Sequence, residues 1–353
     1  MGFAEVGIVA SLEVVAGLGE AAWRATLEGA PVVTAERVAD VFLGRLGASD
    51  IRWQVAPGFG ASGEGVPGDV EDEVDATLRL GEWLTRGRTR RAIGAMPVWD
   101  ERVRVAVGRA LAAAAEGDIR YVGFKLTLRS LLAECDSPGE WMEFVRRFHL
   151  RPDEEFLADG TPDAAVSLAV LKAAGLVVGP VLGFERGPAV KTAAWAGRRR
   201  GSDPMESALR DEAARQAVRG GCALAGQAHL VMAMCALDFA LERTGNRFAA
   251  TPPNGGARAL ARLGLGYAQV KNFAENLSTE PAENAKGPYA ADLVRAFDEA
   301  ARLATDLGQG RAGTSHLLYV IAADPEGTGG RMLRSFGVDP GTLARSLGGE
   351  LAL

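Results

Sequence analysis

One short pattern occurs twice in the second half of this chain, and it narrows the folds open to it. Gly226-Gln227-Ala228-His229-Leu230 and Gly313-Thr314-Ser315-His316-Leu317 each set a glycine three residues before a histidine and then run into an apolar stretch. That is the composition of a helix start. The residues that follow also match: Gly256, Arg258, Leu260 and Gly264 are spaced as Gly329, Arg331, Leu333 and Gly337 are. Recurrence on this scale marks a repeat architecture.

The last copy, Pro288 to Leu353, is the clearest. Leu293, Phe297, Ala300, Ala301 and Ala304 fall at helical spacing, and Gly308-Gln309-Gly310 ends that helix. Gly313-Thr314 supplies a turn and an N-cap, and a second, apolar helix opens at Ser315. A short third helix ends at Gly337 and a fourth begins at Pro340. The copy before it spans Ser202 to Leu265 and accommodates an inserted loop, Arg247 to Asn254. Fainter copies cover Pro97 to Leu150 and the region from Leu12 to Leu43. In the first of these Gly123-Phe124-Lys125-Leu126 stands at the turn and Trp141 to Leu150 takes the third-helix position. In the second, Val33-Thr34-Ala35-Glu36 opens a helix, with Trp23 and Phe42 as expected core anchors. The chain therefore reads as all-α.

Gly313-Thr314-Ser315-His316-Leu317-Leu318, with Pro288-Tyr289 before the preceding helix, resembles the Clp N-terminal (Clp-R) repeat domain of the ClpA/ClpC class of unfoldase ATPases. The resemblance implies two Clp-R-like domains, each a pseudo-two-fold pair of four-helix repeats. Residues 1–152 would form a degenerate domain, 153–201 a linker or bridging segment, and 202–353 the better-preserved domain. Within 153–201, Asp163 to Val178 is expected to be one helix.

In that family the seam between the two repeats takes adaptors, substrates and certain cyclic peptide antibiotics. Carried over by position, its residues here are Pro288, Tyr289, Phe297 and Asp298, with Arg210 and Ala214 opposite. Trp99 holds the aromatic place in the second repeat. The plainer reading of Tyr289 and Phe297 is that they fill the core. The resemblance thus implies a non-enzymatic protein whose partner is a peptide or cyclic peptide ligand, or Clp protease components. A decoy that shields Clp machinery from peptide antibiotics is one form of this. A regulatory or adaptor protein that docks without a small ligand is the alternative. The family also holds a phosphoarginine tag through a glutamate in the second-helix turn. Ser315, Ala228, Lys125 and Ala35 are read at that position here, which implies that this recognition is lost or altered, since a guanidinium needs an anionic partner.

Other chemistry is weakly represented. A net charge of −6 leaves no electrostatic footprint for nucleic acid, and the arginines at Arg86–Arg91 and Arg198–Arg200 read as solvated loops. Three scattered cysteines, Cys135, Cys222 and Cys235, suit a reducing cytoplasm. The first residues lack the basic stretch of a signal peptide, and no apolar run is long enough to span a membrane. Gly58-Phe59-Gly60-Ala61-Ser62-Gly63 fits a dinucleotide fingerprint in letters only, because Glu64-Gly65-Val66-Pro67-Gly68 cannot open the required helix. No lysine follows a glycine, so no Walker A loop exists in this sequence to power unfolding. His229 and His316 occupy matching positions and are expected to be structural, and His149 stands alone. The acidic run from Glu71 to Asp75 reads as a helix start. No cofactor or metal is expected.

Overall fold

The computed structural model describes residues 9–47, 70–88, 96–116, 121–135, 166–180, 203–273 and 289–352. These residues form fourteen helices and six two-residue strands, so the protein is mostly helical. The chain divides into two compact units, Met1–Asp163 and Ala164–Leu353. The segments 51–68, 141–150 (with His149) and 198–200, as well as Pro288, lie outside the described residues.

The first unit opens with β1 (Val9–Ala10), α1 (Leu12–Leu27), β2 (Val32–Val33) and α2 (Ala35–Gly47). After α3 (Glu71–Arg88) the same order returns as β3 (Val98–Trp99), α4 (Glu101–Glu116), β4 (Tyr121–Val122) and α5 (Phe124–Glu134). The strands pair crosswise and parallel: β1 with β4, Ala10 opposite Val122, and β2 with β3, Val33 opposite Trp99. The first strand of each helix pair thus binds the second strand of the other. Ser11 N–H donates to the Val122 carbonyl (2.9 Å) and Asp100 N–H to the Val33 carbonyl (3.0 Å), one bond seen from both halves.

Apolar spacing puts Leu18, Leu111 and Leu131 fully inside this unit. At its centre Phe42 of α2 stacks on Phe124 of α5, centroids 4.4 Å apart. Gly17 lies beneath them; a Cβ there would come within 2.3 Å of the Phe42 ring. Phe42 is the expected anchor, whereas Trp23 is only half-buried. The acidic start of α3 is tied to α4 by Arg104, whose Nη1 lies 2.7 Å from Asp75.

The second unit begins with α6 (Val166–Ala173) and β5 (Val177–Val178). The single helix expected from Asp163 to Val178 is corrected here. Gly175, at φ +75°, breaks it, and Val177 turns out to pair antiparallel with Phe248. A left-handed residue is open to glycine at little steric cost. Next come α7 (Pro204–Arg219), α8 (Gln227–Arg243), β6 (Arg247–Phe248), α9 (Gly256–Arg262) and α10 (Tyr267–Val270). The last stretch holds α11 (Ala291–Asp306), α12 (Thr314–Ala323), α13 (Thr328–Ser335) and α14 (Pro340–Leu351).

Four helix pairs share one spacing. In α1/α2, α4/α5, α7/α8 and α11/α12 the first helix has 16 residues, and the second starts 23 residues after the first (12 to 35, 101 to 124, 204 to 227, 291 to 314). Three of the first helices also close alike. Ala30, Cys222 and Gln309 donate N–H bonds to the carbonyls of Ala25, Ala217 and Ala304, around glycines at φ +66°, +71° and +68°. The ends of α9 and α13 match too: Leu265 N–H bonds the Leu260 carbonyl and Val338 N–H the Leu333 carbonyl, both at 3.0 Å.

This register corrects one assignment. The position equivalent to Ser315, Ala228 and Lys125, second in each second helix, is Glu36 and not Ala35. One repeat therefore does carry a carboxylate there. It accepts a bond from Arg102 Nη1 at 3.1 Å, and Arg102 is held further by Asp100.

Candidate ligand-binding seam

In the second unit the two helix pairs meet where Ala225, just ahead of α8, bridges in parallel to Tyr289, just ahead of α11. Ala290 N–H donates to the Ala225 carbonyl at 2.9 Å. This is the counterpart of the Val33–Trp99 pairing, at the same offset from the helix starts. Backbone geometry thus fixes an aromatic side chain at the junction of each unit: Tyr289 in one, Trp99 in the other.

Around Tyr289 the arrangement is specific. Phe297, two turns into α11, is buried, while Tyr289 is half-exposed. Arg210 of α7 lays its guanidinium over both rings, its Cζ 4.5 Å from the Phe297 centroid and 5.3 Å from that of Tyr289. Its Nε donates to Glu206 Oε1 at 2.7 Å. Cation and ring faces attract through the ring quadrupole, and this holds the long side chain in one place. Burial, and then the neighbouring Asp211 carboxylate, push the Tyr289 phenol above its usual value, with Arg210 acting the other way. Ala214 is buried on α7, and Asp298 is exposed on α11. The structure therefore brings Tyr289, Phe297 and Arg210 into contact.

Trp99 stands in a different setting. It is half-buried, and its indole Nε1 donates to Glu82 Oε1 at 2.8 Å. At the offset where α7 carries Arg210 and α11 carries Phe297, the first unit carries Leu18 and Val107, both buried.

The starts of α8 and α12 form the second candidate place, since a helix start presents free N–H groups. In both, the histidine works as a cap: Gly226 N–H donates to His229 Nδ1 at 3.0 Å and Gly313 N–H to His316 Nδ1 at 3.1 Å. That is the structural role expected of the two histidines. Burial pushes His229 down to about 4, against a smaller opposing pull from Asp292, and burial lowers His316 as well. Among the described residues, the buried His316 Nε2 has no hydrogen-bond partner.

The next two N–H groups are also engaged at each start, by different elements. At α8, Gln227 N–H reaches Asp292 Oδ2 (3.4 Å) and Ala228 N–H reaches Thr328 Oγ1 (3.2 Å), while Thr328 itself donates to Asp292 at 2.6 Å. At α12, Thr314 N–H reaches Asn254 Oδ1 and Ser315 N–H the Pro253 carbonyl, both at 3.1 Å. The inserted loop is thus a cap for a helix sixty residues away, a use its sequence does not announce. Both helix starts are closed by the chain's own groups.

A surface cleft of about 620 Å³ lies between α9 and α14, lined by Gly255, Arg258, Ala261, Arg262 and Glu350. Arg262 and Glu350 pair across it at 2.5 Å. Among the described residues no group of three or more His, Cys, Asp or Glu side chains is placed to hold a metal ion, and no helix is long and apolar enough to cross a membrane. No protein-family model matches the chain, and no curated protein matches it.

Proposed function

We propose that this chain is a non-enzymatic binding protein built from Clp-R-like repeats, and that it captures a peptide or cyclic peptide at the seam between α7 and α11. In this reading each unit is a pair of four-helix repeats related by a pseudo-two-fold axis. The common helix spacing and the crosswise strand pairing support it. The observation that carries the ligand assignment is the half-exposed Tyr289. Its backbone is fixed by the bridge to Ala225, and beside it stand a buried aromatic ring and an immobilised guanidinium. An aromatic anchor held on rigid helices, with donors and acceptors at its rim, is a usual composition for a small peptide site. Closure of the α8 and α12 starts supports the further reading that arginine phosphate is not a ligand of the second unit. Sequestration of Clp-directed cyclic peptides is the role that fits this capture site.

Calorimetric titration of an apolar cyclic peptide into the full chain tests the proposal. The expected dissociation constant is below about 100 μM, corresponding to ~5–6 kcal/mol, and Tyr289→Ala should weaken it at least about tenfold. Absence of binding in that range, or equal binding by Tyr289→Ala, would sink it.

A further inference from the structure

Arg210 is a charged side chain that the fold has largely covered and holds still. It is 20% exposed, its Cζ stands 4.5 Å from the Phe297 centroid and 5.3 Å from that of Tyr289, and its Nε lies 2.7 Å from Glu206 Oε1, one turn back on α7. Its Nη1 and Nη2 have no hydrogen-bond or ion-pair partner among the described residues. A guanidinium carries five N–H donors in a rigid fork. The Nε–H uses one, so the donors of both Nη groups stand ready at the junction. The side chain has already lost its rotamer freedom on folding, and a ligand that meets these donors loses little more by doing so.

Two features decide what the fork can hold. Glu206 already supplies the counter-charge, so a second anion would have to share the guanidinium with it. A main-chain carbonyl brings two lone pairs and no charge. The second feature is the direction of approach. The cation lies over both rings, so a ligand side chain cannot pass between it and them without detaching it. What remains is the Nη edge, beside half-exposed Tyr289. An apolar side chain resting on that ring has its own carbonyl within reach of the fork, since ring centroid and Cζ are 5.3 Å apart.

We infer that Arg210 is the hydrogen-bonding determinant of the seam: through Nη1 and Nη2 it holds a main-chain carbonyl of the bound peptide. The site then reads backbone beside one apolar side chain, rather than a run of side chains. This rests on the seam being a peptide site. The test is calorimetric titration of one apolar cyclic hexapeptide and its six single-thioamide analogues, in each of which sulfur, a weaker acceptor, replaces one carbonyl oxygen. They are titrated into the full chain, Arg210→Lys, Arg210→Gln and Tyr289→Ala, with thermal unfolding as the check that each variant folds. Lysine keeps a positive charge over the rings and removes the fork. Both Arg210 variants are expected to bind the parent peptide about tenfold more weakly or worse. One thioamide position should cost the wild type a similar factor and cost Arg210→Gln nothing. Unchanged or tighter binding by the folded Arg210 variants, or thioamide losses equal in wild type and Arg210→Gln, overturns the role of Arg210; weakening by Tyr289→Ala in the same set then leaves the seam as a site. Failure of the wild type to bind any of the peptides overturns both.

Discussion

His229 makes the second unit acid-sensitive in a way that can be isolated. Its ring is 1% exposed, and its Nδ1 must stay unprotonated to accept the Gly226 N–H. A proton there would set N–H against N–H in a buried site. The fall from the ordinary histidine value of 6.5 to about 4 corresponds to about 3 kcal/mol. Between those values the unfolded chain holds the proton and the folded chain does not. The contribution is therefore complete above about pH 6.5 and is lost as pH falls towards 4. His229→Asn supplies an amide oxygen near the Nδ1 position and removes the titration. Urea unfolding followed by circular dichroism, at pH 7.5 and 4.5, should show the wild type losing about 2–3 kcal/mol more than His229→Asn. Carboxylates distant from the ring titrate equally in both proteins and cancel. Parallel pH profiles for the two proteins would refute the assignment of His229 as a neutral cap.

Three further outcomes follow from the packing. Gly313→Ala places a Cβ 2.0 Å from the Pro253 carbonyl oxygen, at a φ of −112° that any residue adopts, so the penalty is steric. Thermal and urea unfolding should register about 1–3 kcal/mol, while exposed, uncrowded Gly349→Ala in α14 should be neutral or stabilising by about 0.5–1 kcal/mol. Asp292→Ala strips an acceptor from Thr328 and from the Gln227 N–H, and equilibrium unfolding should show a loss of about 1–3 kcal/mol. Burial, with a lesser push from Asp238, holds the Cys235 thiol up at about 12, so alkylation at pH 8 should reach half-exposed Cys222 first, with Cys235 modified only on unfolding. Mass mapping of the labelled cysteines decides it.

Much of the helical plan can be read in the chain because its signals are local. Glycine and histidine three apart mark the starts of α8 and α12, and Gly221, Gly308 and Gly337 mark turns by the left-handed backbone they adopt. Even the fainter repeats place Phe124 and Ala35 at true helix starts. What escapes is long-range. Asn254 closes α12 across 60 residues, Thr328 closes α8 across 100 residues and Asp292 does so across 65. Such partners have no local pattern. The break at Gly175 was hidden because an apolar run of that length suits a helix or a strand equally, and pairing with Phe248 decides between them. At the seam, the family resemblance implies Tyr289, Phe297 and Arg210 as neighbours, but not that the guanidinium lies over both rings. Likewise, the one-residue difference between Ala35 and Glu36 is visible only once the helix starts are fixed.

Whether a peptide sits at the Tyr289–Arg210 junction can be read residue by residue from amide chemical-shift mapping with an apolar cyclic peptide. Shifts are expected to cluster at Arg210, Ala225, Tyr289 and the first turns of α11. Shifts confined to the α9–α14 cleft, or none among residues 203–352 at saturating peptide, would contradict it.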